Sequence, residues 1–494
     1  MSDAPPSSVD AVALPSGALL IADQWVTGAS GGTHRHIYPG NGQPNASIEL
    51  AGPPEIDRAV AAACAAQRQW IGYPVDRRRD LLINLADLVA EHASELAALN
   101  ACDYGVPLAM GGNSLLTERF LRYYAGYVDK AHGLSTPVSG SFDVNIVERE
   151  PYGVVAVIAP WNGPLVVVGS AVAPALAAGN AVILKPSELA PLTSLRFGEL
   201  CLAAGLPPGL VNVLPAKAEG GRALVAHPGI GKIHFTGGHE TARHVLRAAA
   251  DNLTPVVAEL GGKSANIVFA DADLDAAATL AAFQGPLTQS GQSCACASRI
   301  LVQDAVYDEF LSKFLAAVQS APVGDPLRPD VVFGPVVSED AALRILSVID
   351  DAITTESGAL ALGGKRIGGE LAAGYYIEPT VFTEVDNTAA LAQEETFGPV
   401  VSVMRFRDED EAVALANATR YGLNAFVQTT DLHRAHRVAR RLESGSVWIN
   451  THSDIEPQGP YGGYKHSGFG RNGGPDGLYE FLQAKNIRIG MPAT

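Results

Sequence analysis

Residues 153–188 read GVVAVIAPWNGPLVVVGSAVAPALAAGNAVILKPSE, and the alternation inside this stretch decides the fold. Two short, nearly all-apolar segments, GVVAVIAP and NAVILKP, bracket a longer apolar one, PLVVVGSAVAPALAAG, that closes on Gly179. The short segments have strand length, and the long one has helix length with a glycine stop. The same order then repeats, with LTSLRFGELCLAAG as helix, GLVNVLP as strand, EGGRALVAHPGIG as helix and exit, KIHFTGG as strand and HETARHVLRAAADN as helix. Strands that are apolar on both faces and alternate with helices belong to a parallel sheet covered on both sides, the pattern of a dinucleotide-binding fold.

Upstream, from about Pro54 to Leu99, the apolar spacing predicts two helices, and a third covers about Ser114 to Ala131. SFDVNIVEREPYGVV alternates with period two and reads as the strands of a hairpin. Downstream, a second strand–helix alternation runs from NIVFADADLDAAATLAAFQG to GSVWIN, a second α/β unit of about 190 residues. YGGYKHSGFGRNGG is a glycine-rich loop, and the chain's end reads as one more strand. The first sixteen or so residues, rich in Pro, Ser, Ala and Asp, are expected to be disordered.

The totals bound the answer. A chain of 494 residues exceeds the roughly 250–300 that a single core serves, so two or three domains are expected. A net charge of −17 argues against a nucleic-acid surface, which needs clustered Lys and Arg. The five cysteines, at 64, 102, 201, 294 and 296, are neither dense nor even in number, as a disulfide framework would be. The N-terminus has no basic-then-apolar leader, and no apolar run reaches the ~20 residues of a membrane span. The expectation is a reduced, soluble, cytoplasmic protein with no nucleic-acid or membrane partner. A C-x-C pair without further ligands at zinc spacing makes no metal site.

Several residues could do chemistry. Cys294, in GQSCACASR, follows a predicted helix among small residues that leave room for a substrate, and a thiolate there would attack a carbonyl carbon. Taken alone it reads first as a buried small hydrophobe. Glu259 ends the apolar strand TPVVAEL at a Gly-Gly turn, where burial would raise its pKa toward that of a general base. The alternative is a carboxylate capping the next element. Asn162 follows a buried strand and could stabilise an oxyanion together with the Cys294 N–H, or simply form a turn. Lys185 and Glu188, in LKPSE, could bond ribose hydroxyls, or the segment could be an ordinary helix start capped by Ser187. FTGGHETAR offers a helix N-terminus for a pyrophosphate without the G-x-G-x-x-G fingerprint.

The order and spacing of PWNGP, KPSE, FTGG, ELGGKSAN, GQSCACASR, EETFGPV, YGLNA, WIN and PYGGYKHSGFGR resemble the NAD(P)-dependent aldehyde dehydrogenase superfamily from about residue 20 onward. The resemblance implies an aldehyde dehydrogenase-like α/β fold: a Rossmann-type NAD-binding domain over 1–127 and 149–258, and a catalytic domain over 259–453. It further implies a small β oligomerisation element over 128–148 and 478–494, with the glycine-rich loop 454–477 returning to the cofactor domain. A homodimer or homotetramer is then expected. It places Cys294 as nucleophile, Glu259 as general base and Asn162 in the oxyanion hole. The cofactor, NAD with NADP possible, falls to Trp161, Lys185, Glu188, Phe235, Thr236, Gly237, Gly238, Leu260, Glu395 and Phe397. Cys296 is expected to be a bystander near the mouth of the site. Two departures stand out: Asn472 replaces a common glutamate after the Gly-Arg of the glycine-rich loop, and Gly238 replaces a common serine.

If the family's channel positions hold, Gly163, Val167, Ser170, Ser293, Ala295, His452, Ile455 and Tyr461 line the substrate pocket, with no arginine among them to grip a carboxylate. The expected substrate is an apolar or aromatic aldehyde, oxidised to the acid through a thiohemiacetal and a thioester. Rival readings are a CoA-acylating dehydrogenase, which would normally lack the base Glu259, and a non-catalytic member of the fold, which would have lost Cys294. A third rival is a thiol esterase using the same thiolate, expected as a side activity that needs no cofactor.

Overall fold

The protein is described by a computed structural model covering residues 8–110, 114–139 and 143–491. The opening stretch folds as its pattern predicts. Val154–Ile158, Ala181–Lys185, Val211–Val213, Lys232–Thr236 and Val256–Glu259 form the parallel centre of an eight-stranded sheet. In space the fourth strand lies beside the first, so the sheet reverses direction between Val154–Ile158 and Lys232–Thr236. The loops leaving the two strands at such a reversal diverge and open a crevice at the strands' C-terminal ends. Asn162 and Gly237 follow those two strands, and Thr236 ends the second.

A second sheet of seven strands runs Ala359–Leu362, Thr380–Thr383, Val400–Phe406, Arg299–Gln303, Ala265–Val268, Asn424–Gln428, Ser446–Ile449, and all but its first strand pair in parallel. Val144–Pro151 forms a three-stranded sheet with Leu134–Thr136 and Leu482–Ile489. The hairpin expected from 141–155 is therefore split: its first half pairs with segments outside it, and Val154–Ile158 joins the main sheet. Residues 140–142 of that stretch lie outside the described residues.

Other local differences have physical causes. Between Pro54 and Leu99 two helices were expected; three form, Pro53–Ile71, Val75–Glu91 and Ala93–Tyr104. The third expected helix stops at Ala125 rather than 131, just before Gly126. Ser187 supports only a turn, since the next helix begins at Leu192 and takes its N-terminal cap from Asp103, whose carboxylate accepts the Leu192 and Thr193 N–H groups at 2.9 Å each. The segment 8–16, expected to be disordered, lies against the first core through Val9, Val12 and Leu14, while residues 1–7 lie outside the described residues.

The apolar helix of the opening stretch is interrupted. Pro174 has no N–H to give the Ser170 carbonyl, and the helix widens over Val168–Val172 into a π turn, with the Ala173 N–H on the Val168 carbonyl. A second irregular segment precedes Cys294. Gln289, Ser290 and Gly291 take φ values of +49°, +54° and +70° in succession, a left-handed turn that only glycine adopts without cost. Ser290 is held there by its hydroxyl, which donates to the Gly334 carbonyl at 2.7 Å.

At Gly291 a Cβ would stand 2.0 Å from the Gly398 carbonyl oxygen. Gly291→Ala should therefore cost more than the roughly 1–3 kcal/mol of a left-handed non-glycine residue. The expected outcome is a melting temperature lowered by several degrees together with lost turnover. Calorimetry showing the parent's melting temperature would refute it.

Candidate active site

The C-terminal strand ends and the 289–296 turn meet around a cavity of about 710 Å³. Its wall includes Asn162, Glu259 and Cys294, and also Gly163, Val167, Ser170, Ser293, Ala295, His452, Ile455 and Tyr461, so these expected catalytic and substrate-pocket residues share one space. The π turn presents Ser170, and the helix turn before it presents Val166 and Val167.

Cys294 is half-buried, and its own N–H is taken by no other group among the described residues. The thiol pKa is pushed up to about 12, first by burial and then by the nearby acids Glu395 and Glu259. The Tyr461 phenol opposes this by donating to the sulfur, and is itself oriented by the Asn424 amide at 3.2 Å. Asn162 donates one amide hydrogen to the Gln292 carbonyl at 2.9 Å. It therefore anchors the Cys294 turn and keeps a second N–H for an oxyanion. Gln292 is fixed in turn, its amide oxygen accepting the Val337 N–H at 2.9 Å.

Glu259 is 5% exposed, and neither carboxylate oxygen has a hydrogen-bond partner among the described residues. Burial raises its pKa well above the ordinary carboxylate range, with Arg471 opposing and Glu480 adding to the rise. A carboxylate so placed is a poor structural ion pair and a good acceptor for water.

The expected cofactor positions lie along the strand ends of the first sheet and beside the Cys294 turn. Lys185 ends its strand 9% exposed, and its ammonium makes no hydrogen bond or ion pair among the described residues. Burial lowers its pKa, partly offset by Glu188. An unpaired buried cation at a strand end fits a ribose hydroxyl. Phe235 and Thr236 end the strand Lys232–Thr236, which lies on the other side of Val154–Ile158 from the Lys185 strand. Gly238 heads the helix His239–Asp251 with no side-chain cap and open space where a Cβ would be, which suits a pyrophosphate on free N–H groups. The Gly237 N–H is spent on the Glu259 carbonyl at 3.1 Å, so that position contributes shape and no donor.

Leu260 bonds through its N–H to the Ser467 carbonyl at 3.1 Å. Glu395 accepts the Gly262 N–H at 3.0 Å, and burial raises its pKa to about 7. A Cβ on Gly261 would meet the Glu395 carboxylate, and one on Gly262 would stand 2.8 Å from the Cys294 carbonyl oxygen. Trp161 meets Phe397 edge to face, ring centres 5.4 Å apart.

Cys296 departs from expectation. It is buried away from the main cavity and lines a small space with Glu395, Phe397 and Gly291. The turn closed by the Cys296 N–H on the Ser293 carbonyl at 3.1 Å sends the two thiols to different sides.

The sequence reading missed Arg119, whose guanidinium reaches the cavity wall and pairs with Glu456, and also Met110, Leu116 and Phe283. Leu116 and Arg119 share a helix face three residues apart, yet nothing local says that this face looks into a cavity. Asn472 also lines the cavity, held by His234.

Two parallel-sheet units with a cysteine and a desolvated carboxylate in one cleft form the layout of a pyridine-nucleotide oxidoreductase. The aldehyde dehydrogenase family model matches residues 25–487. The chain is 41% identical over 482 residues to an aldehyde dehydrogenase of Enchytraeus buchholzi, covering 96% of each. Among solved structures, a Staphylococcus aureus betaine aldehyde dehydrogenase in complex with NAD+ superposes with TM-score 0.93 at 36% identity, covering 96% of this chain and 94% of that one. A P. syringae indole-3-acetaldehyde dehydrogenase superposes with TM-score 0.94 at 36% identity, covering 98% of each. The chain belongs to the aldehyde dehydrogenase family.

A thiol held protonated by burial gains thiolate as pH rises toward its pKa. Iodoacetamide should therefore modify Cys294 up to about ten-fold faster per pH unit between pH 7 and 9. Tyr461→Phe removes the donor to sulfur and should slow labelling across that window. A pH-independent rate in the parent would mean that the thiolate already exists at neutral pH.

Proposed function

We propose that this aldehyde dehydrogenase oxidises an apolar or aromatic aldehyde to its acid with NAD, carrying the acyl group on Cys294. The observation that carries this reading is the shared cavity of Cys294, Glu259 and Asn162 at the strand ends of a dinucleotide fold.

The Cys294 thiol gives its proton to water in the cavity, the resulting thiolate attacks the aldehyde carbon, and the developing oxyanion meets the free Asn162 N–H and the Cys294 N–H. An anionic tetrahedral adduct releases hydride more readily than a free aldehyde. NAD, when bound, supplies the hydride acceptor. Lys185 and Glu188 would hold its adenosine ribose, Gly238 its pyrophosphate, and Glu395, Phe397 and Trp161 its nicotinamide side. With the hydride gone, the carbonyl re-forms as a thioester on Cys294. Glu259 then takes a proton from water, whose oxygen attacks the thioester carbon and displaces the sulfur.

The substrate reading rests on the wall. Val166, Val167, Leu280, Phe283 and Ile455 are apolar, and the cation Arg119 is neutralised by Glu456. The two solved relatives take betaine aldehyde and indole-3-acetaldehyde at the same identity, so likeness does not choose between them. A homodimer or homotetramer through the three-stranded sheet, and a cytoplasmic location, complete the reading.

Cys294→Ala should reduce dehydrogenase turnover to background while NAD binding, measured by calorimetry, stays near that of the parent; retained turnover would overturn the assignment. In a substrate panel, benzaldehyde should exceed succinate semialdehyde in kcat/KM. Glu456→Gln, which frees the Arg119 guanidinium, should narrow that gap, and a parent preference for the semialdehyde would overturn the substrate reading.

The Glu188 carboxylate repels a 2′-phosphate. Glu188→Gln should therefore reduce the NAD-over-NADP ratio of kcat/KM by at least about ten-fold, read from parallel kinetics. An unchanged ratio would remove Glu188 from the cofactor site.

A further inference from the structure

Two buried polar side chains, Asn212 and His234, sit inside strands of the first sheet rather than at their ends. His234, in the centre of Lys232–Thr236, is flanked in register by Val157 and Val257 and is fully buried. The ring of Phe481 stacks on it, centres 6.2 Å apart at 24°. A histidine in such a place is costly unless it is paired. Its Nε2 lies 2.8 Å from the Asn472 carboxamide oxygen, while Nδ1 has no partner among the described residues.

Burial pushes the imidazole pKa down to about 4, so the ring is neutral at physiological pH. A neutral ring carries one hydrogen, and a buried orphan N–H is rarer than a buried bare lone pair. The hydrogen therefore sits on Nε2 and is donated to the Asn472 oxygen. That choice turns the Asn472 NH2 group the other way, and Asn472 lines the same cavity as Glu259 and Cys294.

The surroundings hold this arrangement in place. The Asn472 backbone exchanges two hydrogen bonds with Tyr461, N–H to carbonyl at 2.7 Å and 2.6 Å, and the Tyr461 phenol donates to Cys294. Glu480 accepts the Arg471 N–H at 3.2 Å and pairs with Lys232 at 3.2 Å, two residues from His234 on the same strand face. Glu259 lines the same cavity, and both its carboxylate oxygens are buried without a hydrogen-bond partner among the described residues.

We propose that His234 is a positioning residue for thioester hydrolysis: its Nε2–H holds the Asn472 carboxamide oxygen, so that the Asn472 NH2 points into the cavity and donates to the water that Glu259 activates. This rests on the reading of Cys294 as acyl carrier and Glu259 as base. In the step, the water oxygen forms a C–O bond to the acyl carbon, one water proton passes to the Glu259 carboxylate, and the C–S bond breaks with its electron pair on the Cys294 sulfur. Asn472 can donate a hydrogen bond but cannot take up or pass on the proton. The proton on Glu259 therefore leaves through water in the cavity.

The test is stopped-flow NADH formation from benzaldehyde and NAD, comparing the parent with His234→Leu, His234→Gln, Asn472→Leu, the His234→Leu/Asn472→Leu double variant and Glu259→Gln. His234→Leu should keep the burst rate, which reports acylation and hydride transfer, while the steady-state rate falls about ten-fold. His234→Gln, whose amide N–H can replace Nε2–H, should restore most of it. The double variant should be no slower than His234→Leu alone, because both changes remove the same donor.

Parent-like steady-state turnover in His234→Leu overturns the proposal, as does a burst lost together with turnover in both His234 variants. Should His234→Leu melt well below the parent, Asn472→Leu decides: a slowed steady state with a spared burst supports the proposal, and unslowed turnover overturns it. Glu259→Gln with full turnover would instead overturn the reading of the base, whatever the His234 variants do.

Discussion

Ser467 ties together parts of the site that are far apart in sequence. Fully buried, it accepts the Leu260 N–H on its carbonyl, donates its hydroxyl to the Gly261 carbonyl at 2.7 Å and accepts the Gly422 N–H on the same oxygen at 3.0 Å. The strand Gly468–Phe469 then pairs with Val256–Glu259 and closes that edge of the first sheet. Through these bonds the glycine-rich loop sets the Glu259 turn, and through Tyr461 and Asn472 it supplies part of the cavity wall. Each buried hydrogen bond contributes only about 0.5–1.5 kcal/mol net, but leaving one unmade costs about 1–3 kcal/mol, so the loop has one acceptable seat.

Burial makes the cleft electrostatically unusual. Glu259, Glu395 and the Cys294 thiol all have raised pKa values with desolvation as the first cause, and the two acids also raise the thiol. Three negative charges cannot be held together in a site this poorly solvated, so the groups ionise in turn and each ionisation disfavours the next. Arg299 lies nearby but is spent structurally, its guanidinium donating to the carbonyls of Lys263, Leu415 and Ala416 and to Asn387. Lys263, whose pKa burial lowers to about 7, is similarly desolvated. The net effect is a thiol that needs help to ionise and a carboxyl that accepts a proton easily.

Much of this was legible before the structure. Short apolar strands separated by helices announced the parallel sheet, and strand ends announced where Asn162, Lys185 and Glu259 would fall, because the C-terminal edge of such a sheet collects loops. The order of motifs separated Cys294 from Cys296 where local composition could not. What was not legible follows from long-range pairing. The hairpin over 141–155 failed because strand pairing is settled by partners such as Leu482–Ile489, hundreds of residues away. Arg119 was missed because a helix face does not reveal what it faces. The His234–Asn472 bond spans 238 positions and joins two residues that look unremarkable on their own.

The sequence by itself determined the α/β layering and the family and singled out the candidate reactive side chains, since hydrophobic period and motif order are local properties of the chain. Only the tertiary structure decided which way those side chains point and what they touch. The left-handed turn at 289–291, the sending of Cys296 away from the cavity, the pairing of Arg119 with Glu456 and the seat of Asn472 depend on backbone and side-chain contacts between distant segments. Desolvation, which sets the ionisation of Glu259 and Cys294, exists only once those segments have closed over them.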